Sequence, residues 1–310
     1  MKLRNSLIAA LLSVITGSCS STDSPGDRTE NTQDPPANPA DPPANPSPTG
    51  WQTLVSGEWS MPAGGEAWVC ARKTLKEDLF VTSFESIAPT GTHHVVLTFG
   101  PPDAPDGVSP CTGTTVFRVS AYGGGRGVLP LKFPQGIARK IPKGSQLLLN
   151  IHLFNGYGED LTGTSGVRAL TIPESEVIEL AEHVATGTQY LQLPARQTTT
   201  QIGHCTMTSD VTLIAVAPHM HRLGVHQKVF AETAAGEITL LDTPFDLDSQ
   251  SYRPLDSVKL ARGERVRVEC TYNNTTDETI TYGDSALDEM CTAAVYRYPA
   301  DNSLFFCHDR

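Results

Sequence analysis

The chain has 310 residues, of which 39 % are hydrophobic and 18 % are charged, and its formal net charge is −11. This composition is ordinary for a soluble protein with many turns, and the acidic balance excludes nucleic acid or an anionic membrane surface as an expected partner. The length exceeds one typical core and predicts two domains with additional segments.

Residues 1–19 have the features of an export signal. Lys2 and Arg4 precede the apolar run "SLIAALLSVITG", which is too short to be a comfortable membrane span. The run ends at "TGSC" and resembles a bacterial lipoprotein signal, in which Cys19 becomes the lipidated first residue. Thr16 stands where such signals usually carry Leu, so ordinary secretion with cleavage nearby remains an alternative. Both alternatives predict an exported protein, and the lipid would be its sole membrane attachment in the bacterial cell envelope.

Residues 20–50 are predicted to be a disordered stalk. They are rich in Pro, Asp, Asn, Ser and Thr, and they contain the tandem repeat "DPPANPA" and "DPPANPS" at 34–40 and 41–47. Such a composition cannot bury a core and favours an extended, polyproline-like conformation.

From Trp51 onward the pattern predicts an all-β protein. Short apolar or alternating runs such as "HHVVLTF", "SQLLLNIHLF" and "RVRVECTY" are separated by Gly, Pro, Asn and Asp, which is typical of sandwiches and jelly rolls. The segment "TIPESE" marks a boundary between two β domains at 51–173 and 174–310. The glycine run "AYGGGRG" at 121–127 lacks the end of a phosphate loop and is predicted to be a surface turn.

The cysteines support export. Of seven in the chain, six remain when Cys19 is set aside, an even number suited to disulfides in an oxidising compartment. Their number alone leaves the pairing open.

Four separated motifs carry potential metal ligands. They are "GTHHVVL", "LNIHLFN", "APHMHRLG" and "LDEMCTA", which contain His93, His94, His152, His219, His221 and Met290. Each predicted domain therefore supplies three candidates, three imidazoles in the first and two imidazoles with a thioether in the second.

The two ligand sets favour copper. Imidazole suits zinc and copper, whereas a thioether selects Cu(I), and three protein ligands leave a position open for O2. His219 and His221 would share one face if the stretch is a strand. His93 and His94 would point to opposite faces of a regular strand, so both can bind one ion only where the strand is bent or ends.

The order HH, then H, then HxH, then Met before Cys resembles the copper type II, ascorbate-dependent monooxygenases, the family of peptidylglycine α-hydroxylating and dopamine β-monooxygenases. "MPAGGEAWVC" is similar to the opening strand of that family, and "LDEMC" is similar to its methionine motif. The resemblance covers about 55–310 in scattered blocks. It implies two tandem jelly-roll domains, each a β-sandwich, facing each other across a cleft.

The resemblance also implies roles for the candidate residues. Two coppers per chain are expected. The first-domain copper would transfer electrons, and its ligands would be His93, His94 and His152. The second copper would be the catalytic centre, which binds O2 and hydroxylates the substrate. Its ligands would be His219, His221 and Met290. The implied disulfides are Cys70–Cys111, Cys205–Cys307 and Cys270–Cys291.

Three positions depart from the peptide-amidating branch of the family. Where that branch uses Arg, Asn and Tyr to hold a peptide carboxylate, this chain has Ala217, Thr292 and Ala294. A glycine-extended peptide is therefore not the expected substrate.

The sequence thus predicts an exported monooxygenase that hydroxylates a C–H bond of an unidentified small molecule with O2 and two electrons from ascorbate or another reductant. The donor could be a redox partner. One alternative is a copper-binding or copper-storage lipoprotein without a substrate pocket. Another is a structural β-sandwich whose histidines have no common purpose.

Overall fold

A computed structural model describes residues 50–111, 118–247, 250–283, 287–301 and 306–309. The expected signal at 1–19 with Cys19, and the expected stalk except for Gly50, lie outside the described residues. In the described part, regular structure is β-strand apart from one 3-10 helix at Glu174–Glu176. No helix there has the length and apolar character needed to cross a membrane. The all-β fold predicted from the short strand pattern is confirmed.

The first group of strands forms two sheets. Their bounds are β1 Gln52–Met61, β2 Glu66–Thr74, β3 Leu79–Ile87, β4 Thr92–Gly100, β5 Gly107–Pro110, β6 Val119–Gly125, β7 Leu131–Lys132, β8 Ile137–Ile141, β9 Gln146–Phe154, β10 Leu161–Thr171 and β11 Glu179–Leu180. One sheet has the order β1-β10-β3-β8-β11 with β7 paired to β3, and the other has the order β5-β2-β9-β4-β6. Side chains from both sheets meet in one core, so these strands form a sandwich.

The second group repeats this arrangement. Its strands are β12 Glu182–Thr188, β13 Gln192–Leu193, β14 Thr198–Thr206, β15 Val211–His219, β16 Gly224–Thr233, β17 Gly236–Pro244, β18 Arg253–Leu260, β19 Arg265–Asn273, β20 Ile280–Thr281, β21 Cys291–Tyr298 and β22 Phe306–Cys307. The main sheets have the orders β18-β15-β21-β12-β22 and β14-β19-β16-β17, and β13 pairs with β20. A separate buried cluster fills this second sandwich.

Burial along single strands explains why these residues form sheets. In β19, "RVRVECTYN" alternates strictly, with every second residue buried, because one face packs on the core and the other faces solvent. In β9, "QLLLNIHLF" is buried at every position except the last, because β9 lies between β2 and β4 and is covered on both faces.

The chain changes sandwich shortly after the 3-10 helix. β11 still pairs, in parallel, with β8 of the first sandwich, and β12 is the first strand of the second. The boundary expected at 173/174 falls at the start of the 3-10 helix, whereas the change of sheet comes between Leu180 and Glu182.

The glycine run does not form the predicted surface turn. Gly123–Gly125 belong to β6 and pair with β4, and the turn comes only at Arg126–Gly127. A Cβ on Gly125 would lie 2.8 Å from the carbonyl oxygen of His93. Gly125 therefore permits close approach of β6 to the strand that carries the histidine pair.

The two sandwiches share a buried aromatic interface. The Tyr296 hydroxyl donates to the Ala121 carbonyl at 2.6 Å, and the Tyr296 ring lies 4.9 Å from the ring of Phe133. The rings of Tyr122 and Tyr252 are stacked 6.4 Å apart. Residues from both sandwiches thus belong to one continuous cluster of buried side chains.

Three disulfides lie within the sandwiches. They join Cys70 to Cys111, Cys205 to Cys307 and Cys270 to Cys291, the pairings that the family resemblance implies. None of these three bonds connects one sandwich to the other.

Candidate metal centres

The structure brings His93, His94 and His152 together on neighbouring strands. His94 on β4 lies opposite His152 on β9, and the register shifts between Thr92 and His94. His93 is the extra residue of this bulge, which answers how two adjacent histidines reach one site. The candidate ring nitrogens of the three residues lie within 4.8 Å of one another.

His152 is held from two sides. Its Nε2 lies 2.7 Å from the Glu66 carboxylate, and its ring stacks on Trp68 with centroids 4.4 Å apart. Because the Glu66 carboxylate accepts from Nε2–H, Nδ1 is the ring nitrogen of His152 that offers a lone pair, and it lies 3.1 Å from Nδ1 of His93. Burial, followed by His152 and His93, lowers the pKa of His94 to about 4, so this imidazole is neutral at neutral pH.

His219 and His221 form a second pair. β15 ends at His219, so His221 lies beyond the strand, and the shared strand face predicted for the two does not apply. Their rings are still close, with centroids 5.5 Å apart and planes nearly perpendicular. Burial, followed by His221, lowers the pKa of His219 to about 4, and the hydrogen bond that His219 donates to Gln250 acts in the opposite direction.

Hydrogen bonds at Nδ1 leave Nε2 as the ligand atom on the rings of both His219 and His221. His219 Nδ1 lies 2.6 Å from Oε1 of Gln250, and His221 Nδ1 lies 3.0 Å from the Asp288 carbonyl oxygen. Since both oxygens are acceptors, each Nδ1 carries the proton and each Nε2 offers a lone pair. Such outer contacts fix ring orientation for metal binding.

Met290 is tied to the His221 turn by its two preceding residues. The Asp288 carbonyl holds His221, and the buried Glu289 carboxylate accepts the backbone N–H groups of His221 at 2.9 Å and Leu223 at 2.7 Å. The Met290 carbonyl accepts from the Tyr272 hydroxyl at 2.7 Å, and the next residue, Cys291, is disulfide-bonded. The backbone of Met290 is therefore fixed beside one of the two histidines.

Several supporting residues were not identified from the sequence. Glu289 lies inside the quoted "LDEMC" motif, so proximity to Met290 was its only signal. Glu66, Trp68 and Gln250 lie tens of residues from the ligands they contact, and no local pattern marks them.

Three other histidines have contacts with residues outside the two ligand sets. His226 pairs with Asp242 at 3.1 Å on a partly exposed strand. His204 and His308 lie near the end of the second sandwich, where the Asp309 N–H bonds to the His204 carbonyl.

The donor sets fit copper. One set offers three imidazoles held close together, and the other offers two Nε2 lone pairs next to a segment carrying a thioether. Imidazole is a ligand that copper accepts, and a thioether favours its reduced state, Cu(I).

Comparisons with known proteins agree with this chemistry for the second half of the chain. Residues 175–310 match the family model "Copper type II ascorbate-dependent monooxygenase, C-terminal domain". A 110-residue segment is 27 % identical to MOXD1 homolog 2 of Drosophila melanogaster; it spans 34 % of this chain and only 14 % of that protein.

A solved structure gives a weaker likeness. The crystal structure of dimeric latent PorU from Porphyromonas gingivalis aligns over 76 % of this chain and 24 % of the PorU chain, with 13 % identity. The TM-score of 0.19 is too low to indicate a shared fold. Residues 175–310 are thus similar to the C-terminal domain of the copper type II ascorbate-dependent monooxygenases.

Proposed function

We propose that the protein is an exported monooxygenase with two coppers per chain. It hydroxylates a C–H bond of a small molecule: R–H, O2, two electrons and two protons give R–OH and water. Ascorbate or another reductant, such as a redox partner protein, supplies the electrons. The observation that carries the proposal is the presence of two distinct ligand sets on separate sandwiches, one purely imidazole and one next to a methionine.

When bound, copper would supply one-electron redox chemistry at the first set and O2 activation at the second. His93, His94 and His152 would hold the electron-transfer copper, and His219, His221 and Met290 would hold the catalytic one. Division of the two tasks between two sites allows two electrons to be stored before substrate reacts.

The chain's own contribution is to orient the ligands before metal arrives. Glu66 and Trp68 fix the His152 ring, so the three imidazoles need little rearrangement. Gln250 and the Asp288 carbonyl turn the Nε2 atoms of the second pair toward a ligand. Preorganised donors lose less free energy on binding and favour one geometry through a redox cycle.

We further propose that residues 1–19 direct export, that Cys19 carries a lipid and that residues 20–50 are a tether in the bacterial cell envelope. The three disulfides support an oxidising compartment. Partners are then a small-molecule substrate and O2, with no role for nucleic acid.

Copper loading of the full chain tests the proposal. After desalting, metal analysis should give about two coppers per chain, as the two soft-ligand sets require, and added ascorbate should drive O2 consumption coupled to a hydroxylated product. His226→Asn is the matched control, because His226 pairs with Asp242, a residue of neither set, and the variant should keep both coppers.

Two results would redirect the proposal. A folded protein that binds zinc tightly and holds no copper would reject the metal assignment. Two coppers that bind and reduce normally while no substrate is ever oxidised would favour the copper-storage alternative.

A further inference from the structure

One face of the main sheet of the second sandwich runs from His219 toward the interface between the sandwiches. Directly paired residues on neighbouring strands share a face, and the face repeats every second residue. From the metal end inward, the rows across β15, β21 and β12 are His219–Thr292–Gly187, Ala217–Ala294–Ala185 and Ala215–Tyr296–His183.

The middle row is a small apolar strip. It consists of alanines alone, and Ala185 and Ala294 are partly exposed although their neighbours along the strands are buried. No charged side chain belongs to any of the three rows. At roughly 3.4 Å per residue, the outer rows lie about 14 Å apart along the strands.

Arg139 of the first sandwich lies at the inner end of this face. It is 7 % exposed and shares a face of β8 with the core residues Ile137 and Ile141. Its Nη1 donates to the Ala181 carbonyl at 3.3 Å, two residues before His183, and its guanidinium lies 5.2 Å from the ring centroid of Phe99. Its Nε has no hydrogen-bond partner among the described residues.

Arg139 differs from the other two buried arginines of the described chain. Arg118 pairs with Asp103 at 2.9 Å, and Arg297 pairs with Glu182 at 2.8 Å. No carboxylate of the described residues pairs with Arg139. A buried charge without a counter-charge costs stability, so its presence calls for an anion that is not part of the described chain.

His183 adds a second unpartnered group to the same end. It is 8 % exposed, its ring lies edge-on to Tyr252 and Tyr296, and its Nδ1 has no partner among the described residues. Burial, with further contributions from Arg139 and His219, lowers the pKa of His183 to about 3. The imidazole is thus neutral, and it can donate a hydrogen bond while Arg139 supplies the single positive charge.

We propose that Arg139 and His183 form an anion subsite, and that it takes the carboxylate of an organic acid whose apolar body lies along the alanine row toward His219. One guanidinium and one neutral imidazole match a monoanion better than a phosphate dianion. The placement of the reacting end near His219 rests on the proposed function; the subsite itself does not.

Binding to the metal-free full chain tests the subsite without any activity. The probes are acetate, butyrate and 4-phenylbutyrate, with 4-phenylbutan-1-ol as the uncharged counterpart of the longest acid. Calorimetry and thermal unfolding should show that 4-phenylbutyrate binds and raises the melting temperature, and that the alcohol does so far less. Arg139→Met should weaken acid binding at least about tenfold, the loss expected for a charge-assisted hydrogen bond, and Arg139→Lys should restore part of it.

Stability separates this role from a structural one. Arg139→Met removes an unpaired buried charge, so without ligand it should melt no lower than wild type. Arg297→Met is the matched control: it leaves the buried Glu182 carboxylate without its arginine and should melt clearly lower.

The proposal is overturned if wild type responds to none of the three acids, if the alcohol binds as well as the acid, or if Arg139→Met melts as low as Arg297→Met and binds acid normally. If the acid binds through Arg139 but the copper-loaded protein oxidises no bound acid, the subsite stands and the proposed oxygenase function fails.

Discussion

Replacement of Glu289 by alanine should show how strongly the second centre depends on one carboxylate. The side chain is fully buried, and its two oxygens accept the N–H groups of His221 and Leu223. Alanine leaves two backbone donors without an acceptor. Each unsatisfied buried group costs about 1–3 kcal/mol, so the expected loss in the free energy of unfolding is roughly 4 kcal/mol. Glu289→Gln keeps the shape and one acceptor, and should lose about 1–3 kcal/mol.

Glu264 provides a matched control for this experiment. Its carboxylate also accepts two backbone N–H groups, those of Ala234 and Ala261, both at 2.7 Å, but it is partly exposed. Water can replace it there, so Glu264→Ala should cost only about 1 kcal/mol.

Urea unfolding of the metal-free variants measures the stability change, and X-ray absorption of the Cu(I)-loaded proteins measures copper–sulfur scattering. We expect Glu289→Ala to lose the sulfur signal while the imidazole set keeps its copper. A loss below about 1 kcal/mol would refute the energetic reasoning. A normal sulfur signal in a destabilised Glu289→Ala would refute the view that this carboxylate positions Met290.

Further predictions address the ligands, pH and the N-terminal segment. Met290→Ile should weaken Cu(I) at the second set and abolish oxygenation while the first copper still cycles with ascorbate; full activity measured by product formation would remove Met290 from the ligand set. His183 has a folded pKa of about 3, below its ordinary 6.5, so the unfolded state takes up the proton first and stability falls as the pH drops below 6.5. His183→Phe should therefore lessen the loss of unfolding free energy between about pH 6.5 and 4 in the metal-free protein, and an unchanged slope in a denaturant series would contradict this assignment. A chain beginning near Trp51 should keep its melting temperature and copper binding, whereas a large decrease by calorimetry would show that the preceding segment packs on the fold.

The sequence was sufficient to predict the strand-rich fold and the residues that the structure gathers at the first cluster. The histidine ligands could be recognised from the sequence because the motifs "HH" and "HxH" each occupy only a few consecutive residues. The contacts of Glu66 and Gln250 are set by strand pairing and by a loop far away in the chain, so no local pattern could reveal them.

The glycine run shows a different limit of sequence reasoning. Glycines usually mark turns, and the sequence-based prediction placed Gly123–Gly125 in one. Tertiary contact decides otherwise, because all three glycines pair with β4, and a Cβ on Gly125 would lie 2.8 Å from the carbonyl oxygen of His93 at the bulge. The end of β15 at His219 is likewise set by the turn that Glu289 stabilises, which alternation along the strand does not predict.

The pairing of β22 has a consequence for the order in which the two sandwiches can fold. β22 aligns in parallel with β12, and Cys307 bonds to Cys205 across 102 residues. A chain that emerges N-terminus first can complete the first sandwich once Leu180 has appeared, but the second must wait for β22. During that interval Phe133 and Tyr122 have no Tyr296 or Tyr252 to cover them. A chain whose second sandwich is still incomplete thus exposes these aromatic side chains, and its resistance to aggregation depends on how quickly the remaining residues arrive.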